Sequence, residues 1–252
     1  MSRRNAGWAV RLPLAGCALC ALTVVPALAW SGSGGPLGEF SFQIGYFTPQ
    51  GNSDLWDENS DLFTSDPSDF ADVIWSGAVG WYAGPHLDVI LSAQYYQADT
   101  SVRYRDITGE YGDPVRQYHY LYQAPFEVTL RVPLIPRAER RGSSGVRVLS
   151  PVVPYVGAGA GFVWWEYEEE GEFVDDPDDP MFAYPDYIES DGVAPSLHAL
   201  GGVEIQVSPW VGVQLEGRYR WAEGDLGGEF GPARDEIDLS GWTLSAGMSF
   251  RF

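Results

Sequence analysis

Val211-Gly212-Val213-Gln214-Leu215-Glu216-Gly217-Arg218-Tyr219-Arg220-Trp221 alternates residue by residue. Val211, Val213, Leu215, Tyr219 and Trp221 share one parity, with Gly217 among them. Gln214, Glu216, Arg218 and Arg220 share the other, with Gly212. Successive side chains of a strand point to opposite faces, so a period of two gives one apolar and one polar face. A helix with its period of 3.6 would mix the two sets. The last segment repeats the pattern: Trp242, Leu244, Ala246, Met248, Phe250 and Phe252 against Thr243, Ser245, Gly247, Ser249 and Arg251.

Working outward from these two segments, eight strands are expected, at 39–48, 72–83, 86–101, 115–133, 151–167, 193–208, 210–223 and 237–252. The fifth is rich in glycine, and its two faces stay ambiguous at this point. Gly84-Pro85 and Ser208-Pro209 mark tight hairpin turns. Longer loops are expected at 49–71, 102–114, 168–192 and 224–236, so long and short connections alternate. The connection 134–150 departs from this by being long and basic, with Arg137, Arg140, Arg141 and Arg147.

The first residues have a separate character. Arg3, Arg4 and Arg11 precede an apolar stretch from Leu12 to Leu28 that ends in Ala27-Leu28-Ala29. A basic start, an apolar middle and small residues at positions −3 and −1 make a secretory signal, with cleavage expected after Ala29. The chain then divides into a signal peptide, 1–29, and one β-barrel domain, 30–252. Leu14-Ala15-Gly16-Cys17 also resembles a lipoprotein processing site. Cleavage there would leave the better apolar run, Ala18 to Ala29, on the mature chain. Cys17 and Cys20 are the two cysteines, so the remainder offers neither a disulfide nor a thiolate metal site.

The formal charge is −20, from 15 basic and 35 acidic residues, and every basic residue is arginine. Loss of the three leader arginines gives 12 − 35 = −23. Such a balance argues against nucleic-acid binding, which requires cationic surface. No apolar run after the leader approaches the ~18 residues of a membrane-spanning helix. An exported chain of alternating strands can still cross a bilayer as a closed barrel, in which no sheet edge is left unpaired. Aromatics near strand ends, including Trp75, Trp81, Tyr95, Trp164, Trp221 and Trp242, suit the interfacial girdles of such a barrel.

The terminal Ser249-Phe250-Arg251-Phe252 is similar to the C-terminal signal of bacterial outer-membrane proteins, with Phe252 at its end. Pro154-Tyr155-Val156-Gly157-Ala158-Gly159-Ala160-Gly161 and Gly241-Trp242-Thr243-Leu244-Ser245-Ala246-Gly247 resemble segments of the OmpA-like eight-stranded barrel superfamily. The resemblance covers nearly all of 39–252 and concerns the barrel domain alone. It implies an all-β, eight-stranded antiparallel up-and-down transmembrane β-barrel in the bacterial outer membrane. Outer-membrane lipids, lipopolysaccharide and, during biogenesis, the barrel-assembly machinery are the implied partners.

An eight-stranded barrel is just wide enough to be filled by side chains. Asp88, Glu127, Arg131, Glu204, Glu216, Arg218 and Arg220 are expected in the lumen as a paired ionic plug. The charges are expected to pair as Glu127 with neighbours such as Arg131, or as Glu204 and Glu216 with Arg218 and Arg220. Residues 168–192 with Glu166 carry twelve acids, among them Asp175, Asp176, Asp178 and Asp179, and 49–72 adds seven. Clustered carboxylates with Asn59 could hold calcium, without any EF-hand spacing. No other cofactor is expected. The three histidines, His86, His119 and His198, form no recognisable catalytic motif, so no enzymatic activity is expected. The leading expectation is a structural or surface-interaction barrel. A small pore or carrier, and a lipid-modifying enzyme with a histidine near serine or carboxylate, are the alternatives.

Overall fold

The computed structural model describes residues 36–108, 113–141, 146–174, 184–227, 230 and 235–252. Its strands are β1 (Gly38–Pro49), β2 (Asp72–Gly84), β3 (Leu87–Thr108), β4 (Pro114–Pro133), β5 (Ala138–Arg141), β6 (Val146–Leu149), β7 (Val152–Phe173), β8 (Tyr184–Gln206), β9 (Val211–Asp225), β10 (Glu236–Asp238) and β11 (Gly241–Arg251). Eight of them close a ring in the order β1-β2-β3-β4-β7-β8-β9-β11, and β11 returns to β1 from Glu39↔Arg251 to Pro49↔Gly241. Every neighbouring pair in the ring is antiparallel. The fold is an eight-stranded up-and-down barrel.

Alternation decides which side each residue takes. On β9, Gln214, Glu216, Arg218 and Arg220 are buried inside, while Leu215 and Trp221 lie exposed outside. On β11, Leu244 is 72% exposed, and Thr243 beside it is buried. Apolar groups thus cover the outside and charged groups fill the inside, the reverse of a water-soluble β-barrel. The glycine-rich segment also resolves. Gly157, Gly159 and Gly161 face inward, and Ala158 and Ala160 face outward. A Cβ on Gly159 would stand 2.6 Å from Cε1 of His198 and 2.1 Å from the Val128 carbonyl. Glycine there leaves the room that the large lumenal side chains occupy.

Several strands run further than expected. β3 continues to Thr108, β7 to Phe173, and β8 starts at Tyr184 rather than 193. β8 pairs with β9 only as far as Ser196↔Ala222, but with β7 up to Phe173↔Tyr184, and β4 stays paired with β7 to Gln117↔Gly171, so the β3–β4 and β7–β8 hairpins rise together above β9. The basic connection contains a short hairpin, β5–β6.

The stretch 49–71, expected as loop, holds a helix, α1 (Asp54–Leu62), and a 3₁₀ turn, Pro67–Phe70. Leu55, Trp56 and Asn59 share one helical face and are buried, while Asp54, Asp57 and Asp61 stay in water or half in water. Asp54 and Asp57 lie in the first turn, where the helix dipole favours negative charge. The buried face closes the loop end of the barrel. Trp56 packs edge-on against Phe70 (5.1 Å) and Tyr167 (6.1 Å), and its indole N–H donates to the Asp238 carbonyl of β10 (3.0 Å). Phe47, Tyr96, Trp165 and Leu239 complete this apolar roof. Asn59 turns inward, where its amide N–H donates to the Tyr167 hydroxyl (2.9 Å).

Candidate functional site

Below the roof the lumen holds two layers of charge. In the layer near the short turns, Arg131 of β4 donates to Glu39 of β1 (2.7 Å) and to Asp88 of β3 (2.8 Å). Arg137 enters from the connection after β4 and binds Asp88 (2.7 Å) and Glu204 of β8 (2.9 Å). Arg251 of β11 also pairs with Glu204. The guanidiniums of Arg131 and Arg137 lie over the rings of Tyr155 and Tyr82, at 5.1 and 4.4 Å.

The middle layer centres on Glu127 of β4. Arg220 reaches it from β9 at 2.9 Å, and Arg218 pairs with both Glu127 and Glu216, the latter at 3.0 Å. Arg220 also donates to Gln94 of β3, which stands four strands away around the ring, so this contact spans the lumen. Gln43 donates to Gln214 (2.9 Å), which in turn donates to Glu39 of the first layer (3.0 Å). Glu39, Asp88, Glu127, Glu204 and Glu216 face Arg131, Arg137, Arg218, Arg220 and Arg251, so these described charges balance. Buried charge persists when it is paired in this way.

All seven lumenal residues named from the sequence lie inside the ring. Two of the expected pairings need correction. Glu127 binds Arg218 and Arg220 rather than Arg131, and Glu204 binds Arg137 and Arg251 rather than Arg218 or Arg220. Glu39, Arg137 and Arg251 were not among the seven. Glu39 and Arg251 have the inward parity of their strands, whereas Arg137 belongs to a connection and carries no parity signal. Phe252 sits at the closing seam, where its N–H donates to the Gly38 carbonyl (3.0 Å) and its ring contacts Phe40 (5.2 Å). Ala27, Ala29, Cys17, Asp175, Asp176, Asp178 and Asp179 lie outside the described residues.

The histidines differ in setting. His86 faces a short turn, with Nδ1 3.0 Å from the Pro133 carbonyl. His119 lies under the roof between Gln117 (3.0 Å) and the Tyr167 hydroxyl (3.1 Å). His198 places Nε2 at 2.8 Å from the Thr129 hydroxyl and Nδ1 at 3.4 Å from Glu127. Hydroxyl, imidazole and carboxylate follow the order of a nucleophilic triad. Here the group is fully buried, and the carboxylate already holds two guanidiniums.

A second charged feature lies outside the ring. Glu166 and Glu168 of β7 and Glu189 of β8 bring one carboxylate oxygen each within 4.8 Å of the others. They stand past Trp164, beyond the apolar part of the wall. Partial burial, a hydrogen bond with Glu168 and the charges of Glu168, Glu189 and Asp191 push the Glu166 carboxyl up to about 7. The native chain then holds a proton between pH 4.5 and about 7 that the unfolded chain has lost, so this group lowers stability as pH rises through that window. In ¹³C NMR the Glu166 carboxyl should titrate near pH 7, and in Glu168→Gln the midpoint should fall. A wild-type midpoint near the ordinary glutamate value would contradict the cluster.

No protein-family model matches the chain, and comparison with curated proteins finds no match. Solved structures with some similarity include Neisserial surface protein A, at a TM-score of 0.44 and 13% identity, covering 86% of this chain and 97% of that one. The outer membrane protein OprG of Pseudomonas aeruginosa gives 0.42 and 14%, covering 87% and 98%. The N-terminal β-barrel domain of OprF from Pseudomonas aeruginosa gives 0.40 and 9%, covering 87% and 100%.

Proposed function

We propose that this chain is a bacterial outer-membrane barrel with a closed lumen and a structural or surface-interaction role. One observation carries the reading: apolar side chains face out from a ring whose interior is crossed by arginine–carboxylate bonds. Trp75 and Trp81 on β2 are both exposed and bracket an outward face six residues long, roughly 20 Å at ~3.3 Å per residue. That approaches the ~25 Å apolar band of outer-membrane barrels. The roof and the connections after β1, β3, β7 and β9 then face outward, and the short turns at Pro85-His86 and 207–210, together with the longer β4–β7 connection, face the periplasm. The acidic rim around Glu166 would repel anionic lipopolysaccharide. Divalent cations held between carboxylates and lipid phosphates would relieve that repulsion. Phe252 at the seam suits recognition by the assembly machinery.

Conduction needs a water path, which two ionic layers and an aromatic roof interrupt. Enzymatic work at His198 needs access, which the same packing denies. The protein reconstituted in planar bilayers should therefore leave the membrane resistance unchanged, with no steady single-channel steps. Reproducible steps that scale with protein would overturn the closed lumen and favour the pore.

A further inference from the structure

We infer that Arg103 and Arg116, directly opposed on the outer face of the β3–β4 hairpin, form a site for a phosphate or sulfate ester carried on a glycan. The two residues are register partners, and both are exposed. Side chains opposed in this way start about 5 Å apart, and like charges there destabilise the sheet. In a chain with 35 acids, no carboxylate pairs with either guanidinium among the described residues. Glu170 and Glu172 lie one strand away on β7 and make no ion pair with Arg116. One tetrahedral oxyanion can accept N–H bonds from both guanidiniums and turn the repulsion into two charge-assisted contacts.

The pair is held in place by the roof. Phe63 and Tyr104 form a β-bridge and pack at a tilt with ring centroids 4.5 Å apart, the Thr64 N–H donates to the Arg103 carbonyl (2.9 Å), and Arg105 donates to the Ser60 carbonyl at 2.9 Å. The backbone carrying Arg103 is thereby fixed before any ligand arrives, which reduces the ordering cost of binding.

Two observations point to a glycan rather than a free anion or a lipid headgroup. Tyr118 and Ser101 form the next register pair on the same face, with Tyr118 47% exposed, so a flat ring and a hydroxyl stand ready for a sugar. Arg103 lies eight residues beyond the girdle residue Tyr95, roughly 26 Å along the strand at ~3.3 Å per residue, which is past the headgroup layer. The net charge of −20 also disfavours a bare anion that gains nothing else on arrival.

The test uses the whole refolded protein in detergent micelles, with ¹⁵N-arginine side-chain spectra as readout. Glucose 6-phosphate, glucose 6-sulfate and inorganic phosphate are the probes. The esters should shift the Arg103 and Arg116 Nε–H signals saturably, and inorganic phosphate should bind about tenfold more weakly. Arg103→Gln/Arg116→Gln, checked for folding by its heat-dependent mobility in SDS, should weaken ester binding at least about tenfold. Tyr118→Ala should weaken the esters and leave inorganic phosphate unchanged. A preference for the phosphate ester points to phosphorylated bacterial surface saccharides, and one for the sulfate ester to sulfated glycans. No saturable shift, equal ester binding by the double variant, or inorganic phosphate binding as tightly as the esters would overturn the inference.

Discussion

Glu127→Ala will strip the barrel of much of its resistance to urea and warm SDS. Glu127 is the common partner of Arg218 and Arg220, and the whole cluster is buried. Removing one partner of a buried pair leaves charge uncompensated, at a cost of about 3–5 kcal/mol. Two guanidiniums lose their partner here, although Arg218 keeps Glu216 at 3.0 Å. Glu127→Gln preserves volume and an acceptor oxygen and should cost less. Glu127→Leu combined with Arg218→Met and Arg220→Met should recover part of the loss, because apolar replacement of a whole ionic group is often neutral or better. Urea titration followed by tryptophan emission would give the order wild type, triple variant, Glu127→Ala. A midpoint for Glu127→Ala equal to wild type would show that the lumenal charges are solvated rather than locked.

Trp56→Ala will open the roof and leave the wall standing. Trp56 is 1% exposed, packs on Phe70 and Tyr167, and bonds to β10 through its indole N–H. Truncating a buried tryptophan costs about 3–5 kcal/mol. Here the loss falls on α1 and β10, which lie outside the ring of paired strands. Amide exchange should rise across 54–62 and 236–239, while β9 and β11 keep their protection and the heat-dependent mobility shift survives. Unchanged exchange in α1 would mean that the helix is held by something other than its buried face.

The wall was legible because a period of two survives in single sequences wherever one face meets an apolar phase. Val211 to Trp221 and Trp242 to Phe252 show it directly, and the structure keeps their parity. The signal fades where strands rise past the apolar belt. From Glu166 to Glu172 the outward positions of β7 are acids, so the strand reads as loop although its pairing continues to Phe173↔Tyr184. α1 was hidden for a similar reason: four of its nine residues are acidic, and its buried face shows only Leu55, Trp56 and Asn59. Inward parity also identified the lumenal charges, but parity does not fix which of them meet. Strands tilt around a barrel, so partners depend on register. Arg131 shares a row with Asp88 and Gly157, while Glu127 meets Arg220 across the space that Gly159 and Gly161 leave open.

In the proposed barrel the apolar outer face touches lipid and the polar face does not. Single cysteines at Leu244 and Thr243 test it, since Cys17 and Cys20 fall in the expected leader. A nitroxide at position 244, in protein reconstituted into lipid bilayers, should collide freely with oxygen and be shielded from a water-soluble nickel chelate. At position 243 the label should be shielded from oxygen by the lumenal packing. A label at 244 that nickel reaches readily would contradict the account and make the outward face a water-exposed surface.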